Sequence, residues 1–318
     1  MNKIINKYNK IKFKYENKKN FISVIIPVYK DTTGLSITLN SLKNQSLNKE
    51  YFEIIVVNDG AEINITNICK DHSVSVIEIS PNMGSYFARN KGIENSSGEY
   101  IAFLDADIKV KNNWIENGLK ELKRNTDYLC GKVQIDESKI KTVTNFYKLH
   151  TAFPVKRYLN KDHFGPTANL FVKRKVINMA GGFDIRLKSG GDTEFGSRIY
   201  HYTNFKQVYI ENITVIHPPR NYKEEIKKIK RITKGAIDLN KFYPNRFSNK
   251  IKITDFFPIK IENLGGIEYN KKFIIKYLLG YWFKLIKTYY KIKFKLTKTK
   301  NNINECKKIN FINFKNKK

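Results

Sequence analysis

From Phe21 the chain alternates short unbroken apolar runs with stretches in which apolar residues recur every three or four positions. Phe21–Pro27 (FISVIIP), Glu53–Asn58 (EIIVVN), Val74–Ile79 and Tyr100–Leu104 (YIAFL) predict four strands, and Tyr128–Gln134 is strand-like. Leu35–Leu47, Ser85–Glu94 and Trp114–Lys123 carry the helical period between them. Strands that are apolar on both faces and alternate with helices predict an α/β fold, a mostly parallel sheet flanked by helices. Residues 135–220 are less regular, with Gly165-Pro166, Gly181-Gly182 and Gly190-Gly191 as turn signals. Beyond Tyr222 the chain is rich in lysine and aromatics, and no internal repeat is present.

Charge divides the chain more sharply than hydropathy does. The formal net charge is +30 over 318 residues, of which 41% are hydrophobic, enough for a sizeable core and against wholesale disorder. Residues 1–20 hold seven lysines and one glutamate; residues 21–221 hold 26 basic and 21 acidic groups; residues 222–318 hold 26 basic and seven acidic groups. This predicts a basic, loosely ordered arm over 1–20, a nearly balanced domain over 21–221 and a basic, aromatic-rich helical extension over 222–318. The excess calls for an anionic partner: nucleic acid, a phosphate-bearing substrate or a membrane surface. The balanced middle, and the preponderance of lysine over arginine, argue against specific nucleic-acid reading. Cys69, Cys130 and Cys306 are too few and too scattered for a disulfide framework or a zinc site, which fits a reducing cytosolic setting. Met1–Asn20 never reaches an apolar stretch, so no signal peptide is expected.

In parallel sheets ligands bind beyond the carboxyl ends of the strands. Three polar clusters sit there: Pro27–Tyr29, Asn58–Gly60 and Asp105-Ala106-Asp107. Two carboxylates brought into one cleft by a tight turn offer hard oxygen donors that suit Mg²⁺ or Mn²⁺ shared with substrate phosphates; the alternative is a solvated turn. Asp192 follows a glycine-rich turn at the start of a helical stretch, where an aspartate can serve as N-cap or first-turn acid.

Taken together, SVIIPVY (23–29), IVVNDG (55–60), NMGSYFARNKGI (82–93), GEYIAFLDAD (98–107), and GGFD with SGGDTEFGSR (181–198) resemble the family 2 glycosyltransferases of GT-A fold, in order and in spacing. The resemblance runs from Phe21 to about Arg220. It implies a Rossmann-like GT-A sheet and an inverting transfer of sugar from a nucleotide diphosphate, a UDP-sugar in the first instance, to a hydroxyl of a glycan or lipid-linked acceptor. It places Pro27, Val28 and Tyr29 around the base, with the Tyr29 ring as a stacking face. It gives Asp59 a hydrogen bond from the base imino group, although the family more often has Asp-Asp-Gly where this chain has Asn58-Asp59-Gly60. Gly84 opens the turn before a helix, and Arg89 reaches the nucleotide or diphosphate. Asp105 lies toward ribose and metal, Asp107 is the direct metal ligand, and His217 is either a third ligand or a packed histidine. Asp192 matches the catalytic base by register. Because this chain reads Gly191-Asp192 where many members read Glu-Asp, Glu194 stays open as the other carboxylate.

Phe273–Ile292 (FIIKYLLGYWFKLIKTYYKI) is apolar and aromatic but contains Lys276, Lys284, Lys287 and Lys291. At a helical period those four fall within roughly 80° of arc. A lysine at mid-bilayer costs about 2.5–3.5 kcal/mol, so a spanning helix is disfavoured. The pattern fits a helix lying in the plane of an anionic membrane surface, or one packed on the domain with its lysines snorkelling. With the resemblance, it points to a cytoplasmic enzyme peripheral to the inner membrane that builds a bacterial surface polysaccharide.

Overall fold

The computed structural model describes residues 5–60, 64–72, 74–258 and 271–315, with side chains described as far as Thr297. Cys306 lies outside the described side chains. The elements run β1 (Lys18–Val28), α1 (Thr32–Lys43), β2 (Phe52–Asp59), α2 (Thr66–Lys70), β3 (Ser75–Ile79), α3 (Ser85–Glu94), β4 (Gly98–Phe103), β5 (Lys109–Val110) and α4 (Trp114–Lys123). They continue with β6 (Tyr128–Ile135), α5 (Val143–Thr151), α6 (Val155–Asp162), β7 (Leu170–Lys173), α7 (Arg174–Ala180), α8 (Gly191–Tyr202), β8 (Gln207–His217), α9 (Tyr222–Phe242) and α10 (Lys271–Lys315). Two compact units result: residues 1–141 with 151–219, and residues 142–150 with 220–318.

The first unit carries one eight-stranded sheet in the order β3-β2-β1-β4-β7-β6-β8-β5. β1, β2, β3 and β4 pair in parallel, as do β6 and β8. Strand order reverses between β2-β1 and β4, and such a switch point leaves a crevice outside the strand ends. The antiparallel strand β7 joins the two parallel groups, pairing β4 on one side and β6 on the other. Its four residues are too short to stand out as a pattern. Ile22, Val24, Ile25 and Ile26 of β1 are fully buried, as expected for a strand covered on both faces.

Helix α1 stops at Lys43, earlier than its apolar spacing predicts. The side chain of Gln45 is used elsewhere, accepting from Ile115 N at 3.0 Å and donating to Lys111 O at 2.9 Å. α1 also fixes the segment after β4. Thr38 Oγ1 donates to Ile108 O at 2.8 Å and accepts from Ile108 N at 3.0 Å.

Residues 5–17, expected to be loosely ordered, are instead tied to this unit. Gly182 N donates to Asn9 O at 2.8 Å, and Lys14 N donates to Glu94 O at 2.8 Å. The Phe13 and Tyr8 rings lie 4.0 and 4.2 Å from the guanidinium carbons of Arg174 and Arg186. Backbone bonds and the aromatic rings between the lysines, rather than the lysine side chains, hold the arm.

In the second unit, Asn221 and Glu224 form a reciprocal cap on α9. Glu225 of α9 pairs with Lys148 of α5 at 2.9 Å. Three of the four lysines of the α10 stripe turn inward, while Lys287 is exposed: Lys276 is 1% exposed, Lys284 donates to Phe257 O, and Lys291 donates to Lys250 O and Asp255. Its apolar side faces outward. No helix among the described residues is long and apolar enough to cross a membrane.

The register between β6 and β8 breaks after Gly131, and Asn169 bridges the break. Its amide donates to Lys132 O and Ile213 O, both at 2.8 Å, and its oxygen accepts from Trp114 Nε1 at 3.0 Å. Asn169→Ala leaves all three groups unpaired in the core and is expected to cost about 3 kcal/mol, read as a lowered urea midpoint.

Candidate active site

The polar residues at the switch point converge on one rim of the first unit. Asp59 ends β2 and is 2% exposed. Its carboxylate accepts from Met83 N at 2.7 Å, from Gly84 N at 2.8 Å and from Asn82 Nδ2 at 2.9 Å. These bonds fold the 82–84 loop against β2 and deliver the chain into α3. Three of the four acceptor positions are therefore used internally, and one remains, on Oδ1. Gly84 caps α3 with φ 97°, a conformation L side chains rarely adopt. Gly60, with φ 137°, lets the half-exposed Tyr29 ring lie flush on the turn, since a Cβ there would stand 2.9 Å from the ring. Pro27 and Val28 belong to β1, and the Val28 side chain is buried in the sheet.

α3 then presents Tyr86 and Arg89 on successive turns. Arg89 is buried and donates to Asp105 Oδ1 at 2.5 Å. Asp105 and Asp107 are each about one third exposed at the end of β4. β5 pairs antiparallel with β8, matching Lys109 with Ile216, so the chain just before β5 runs beside the end of β8. That register brings His217 Nε2 to 3.9 Å from Asp107 Oδ2. His217 Nδ1 meets Pro218 O at 2.6 Å. A carbonyl only accepts, so Nδ1 carries the proton, and a neutral ring then points the lone pair of Nε2 toward Asp107.

α8 supplies the remaining carboxylate. Gly190 adopts a left-handed cap, and Asp192 lies in the first turn, partly exposed. Asp192 Oδ1 accepts from Tyr86 Oη at 3.2 Å and from Thr193 N at 2.9 Å. Both bonds fall on Oδ1, so Oδ2 is the oxygen left to take a proton. Burial raises the pKa of Asp192, the charge of Asp105 adds to the rise, and Arg89 and the two hydrogen bonds oppose it. Burial also pushes the Tyr86 hydroxyl well above its usual range, with Asp192 contributing, so Tyr86 stays a donor. Tyr86 is the site residue that sequence reasoning missed. The signal was Gly191: a Cβ at 191 would lie 2.7–2.8 Å from three atoms of the Tyr86 ring. The ring occupies the space that any side chain at 191 would need.

Glu194, left open as the other carboxylate, is engaged elsewhere. It is 0% exposed and pairs with Arg198 at 2.9 Å, one helical turn on. Arg198 also donates to the carbonyls of Ala180 and Gly182, so the pair clamps α8 to the 180–182 turn. It supports the fold and does not open to the rim. The three proposed metal ligands are not equivalent either. Asp105 is committed to Arg89, and among the described residues no group of three or more His, Cys, Asp or Glu is arranged to hold a metal. Asp107 and His217 are the two donors that face one another. Two protein donors with remaining positions left to substrate oxygens fit a Mg²⁺ or Mn²⁺ site of the diphosphate-sharing kind.

The family model for Glycosyl transferase family 2 matches residues 23–188. A curated relative, the glycosyltransferase AglE of Haloferax volcanii, is 32% identical over 225 residues, covering 69% of this chain and 74% of AglE. The chain is a member of glycosyltransferase family 2. Its fold is similar to that of TarS 1–349 from S. aureus, solved with UDP-GlcNAc, at TM-score 0.53 and 18% identity over 69% of this chain and 66% of that one. It is also similar to the mannosyltransferase PcManGT from Pyrobaculum calidifontis, solved with GDP-Man and Mn²⁺, at TM-score 0.54 and 15% identity over 74% of this chain and 68% of that one.

Glu194→Gln is expected to leave buried Arg198 without its counter-charge and to cost about 3–5 kcal/mol of stability. Nucleotide binding of the folded fraction should be unchanged, which thermal melting and titration calorimetry together can separate.

Proposed function

We propose that this glycosyltransferase moves a sugar from a nucleotide diphosphate, a UDP-sugar in the first instance, onto a hydroxyl with inversion at the anomeric carbon. The observation that carries the reading is Asp192, held at one oxygen by Tyr86 and Thr193 with the other left for a proton. In this reading the acceptor oxygen attacks the anomeric carbon from the face opposite the diphosphate. Its proton passes to Asp192 Oδ2, the sugar–phosphate C–O bond breaks, and the electron pair leaves with the nucleoside diphosphate. One displacement inverts the centre. Proton transfer comes late, as the attacking oxygen becomes acidic, and the raised proton affinity of Asp192 makes it a better base than an exposed aspartate.

Tyr29 and the loop held by Asp59 form the base end of the donor site, with the spare lone pair of Asp59 available to a uracil imino group. Arg89 and Asp105 together fix the ribose and diphosphate end. A divalent cation, Mg²⁺ or Mn²⁺, held by Asp107 and His217 would neutralise the diphosphate and improve it as a leaving group. The TarS and PcManGT complexes with sugar nucleotides support the donor class, and the Mn²⁺ in PcManGT supports the metal. The acceptor is a glycan or lipid-linked saccharide in surface-polysaccharide assembly. The enzyme works peripherally at the cytoplasmic face of the membrane, where the 26 basic groups among residues 222–318 meet anionic lipid.

Asp192→Asn should retain UDP-sugar affinity and lose transfer by about two orders of magnitude or more. The parent should lose activity on acidification with a midpoint above the ordinary aspartate range, because the base must be ionised and burial resists that. Transfer by the variant within a few fold of the parent would remove Asp192 from the mechanism. Asp107→Ala should make UDP affinity, measured by calorimetry, the same with and without Mn²⁺; a surviving Mn²⁺ enhancement would place the cation elsewhere.

A further inference from the structure

The sequence pattern of α10 and its orientation disagree in an informative way. An amphipathic helix packed on a protein normally buries its apolar face and shows its lysines to water. In α10, Phe273, Lys276, Gly280, Phe283 and Thr288 face inward. Ile274, Ile275, Leu278, Trp282, Tyr289 and Leu296 face outward, each at least two fifths exposed. At a helical period those six fall within roughly 100° of arc, in a stripe about 33 Å long. Exposed apolar residues scattered singly are ordinary, but a continuous stripe of them marks a surface with a partner.

We propose that this outward face of α10 enters the interfacial layer of an anionic membrane leaflet. The inference rests on the membrane-peripheral reading above and names the surface that makes the contact, which is the apolar face and not the lysine stripe. Two observations identify the occupant. The first is charge: the same segment of chain, residues 222–318, carries 26 basic against seven acidic groups. A second copy of this chain would bring the same excess and be repelled, whereas an anionic leaflet complements it. The second is the state of the polar atoms. Trp282 is half exposed, yet its Nε1 donates to Tyr222 Oη at 2.8 Å. Lys284 and Lys291 already give their ammonium protons to backbone carbonyls at 2.9 and 2.6 Å. The indole can therefore leave water without orphaning its N–H. An apolar stripe with aromatic residues along it and a basic surround is the composition of an in-plane interfacial element.

The sequence holds two tryptophans, and the other, Trp114, is fully buried in the first unit, so emission changes report Trp282. The full-length protein is mixed with vesicles of phosphatidylcholine alone, or of phosphatidylcholine with phosphatidylglycerol. Flotation and tryptophan emission are then followed. Binding to the phosphatidylglycerol vesicles with a blue shift of Trp282 emission is expected, as is a partition coefficient lowered about tenfold or more by Ile274→Glu with Leu278→Glu. Melting temperature and transfer to a soluble acceptor, measured on the same variant, should match the parent. Binding without a blue shift, and undiminished in the variant, overturns the α10 face while leaving the membrane reading intact. Absence of binding to either vesicle overturns both. Concentration-dependent dimerisation that the variant abolishes, without vesicle binding, assigns the face to a second copy and overturns the proposal.

Discussion

Carboxylates gathered at one rim repel one another, and the arrangement depends on a buried counter-charge. Arg89 supplies it. From the second turn of α3 it meets Asp105 directly at 2.5 Å, and its field lowers the proton affinity of Asp192 against the effect of burial. The guanidinium suits this place because it stays charged when desolvated and its planar fork fixes direction as well as charge. Its position in turn depends on α3 starting where it does. That start is set by the bonds from Asp59 to the 82–84 loop, so a carboxylate at the end of β2 governs the placement of a cation serving β4 and α8.

The sheet explains why residues so distant in the chain share one rim. β1, β2 and β4 run parallel toward one edge, β1 and β2 reaching it with Val28 beside Asn58 and β4 stopping three residues short with Phe103 beside Ile25, so the residues after each strand meet there. Asp107 and His217 meet for a different reason. They flank a short antiparallel pairing of β5 with β8, so their approach is a matter of register and not of strand order.

The sequence was legible where local pattern and tertiary role coincide. The buried strands β1, β2 and β4 are unbroken apolar runs because both faces are covered, and α3 and α4 fall on the residues their periodicity predicts. Asp192, Asp105 and Arg89 stand together at one rim. What stayed hidden depends on partners far along the chain. β7 is four residues long and exists through its neighbours. Glu194 and Asp192 are two residues apart on one helix, so they leave it in different directions, and only the position of Arg198 decides which is buried. Periodicity likewise gave α10 its two faces, but which face turns inward is fixed by carbonyls at Lys250 and Phe257 that no helical pattern encodes.

The close fit between Tyr86 and Gly191 couples the two positions. The ring fills the volume that a side chain at 191 would need, and its hydroxyl orients the neighbouring aspartate. Placing glutamate at 191 while the tyrosine remains forces backbone and ring apart. Removing the ring first leaves the aspartate without one of its two donors. Neither single substitution is neutral, so residues 86 and 191 are epistatic: a side chain at 191 is tolerated only with a smaller residue at 86, and that exchange gives up the hydroxyl that orients Asp192.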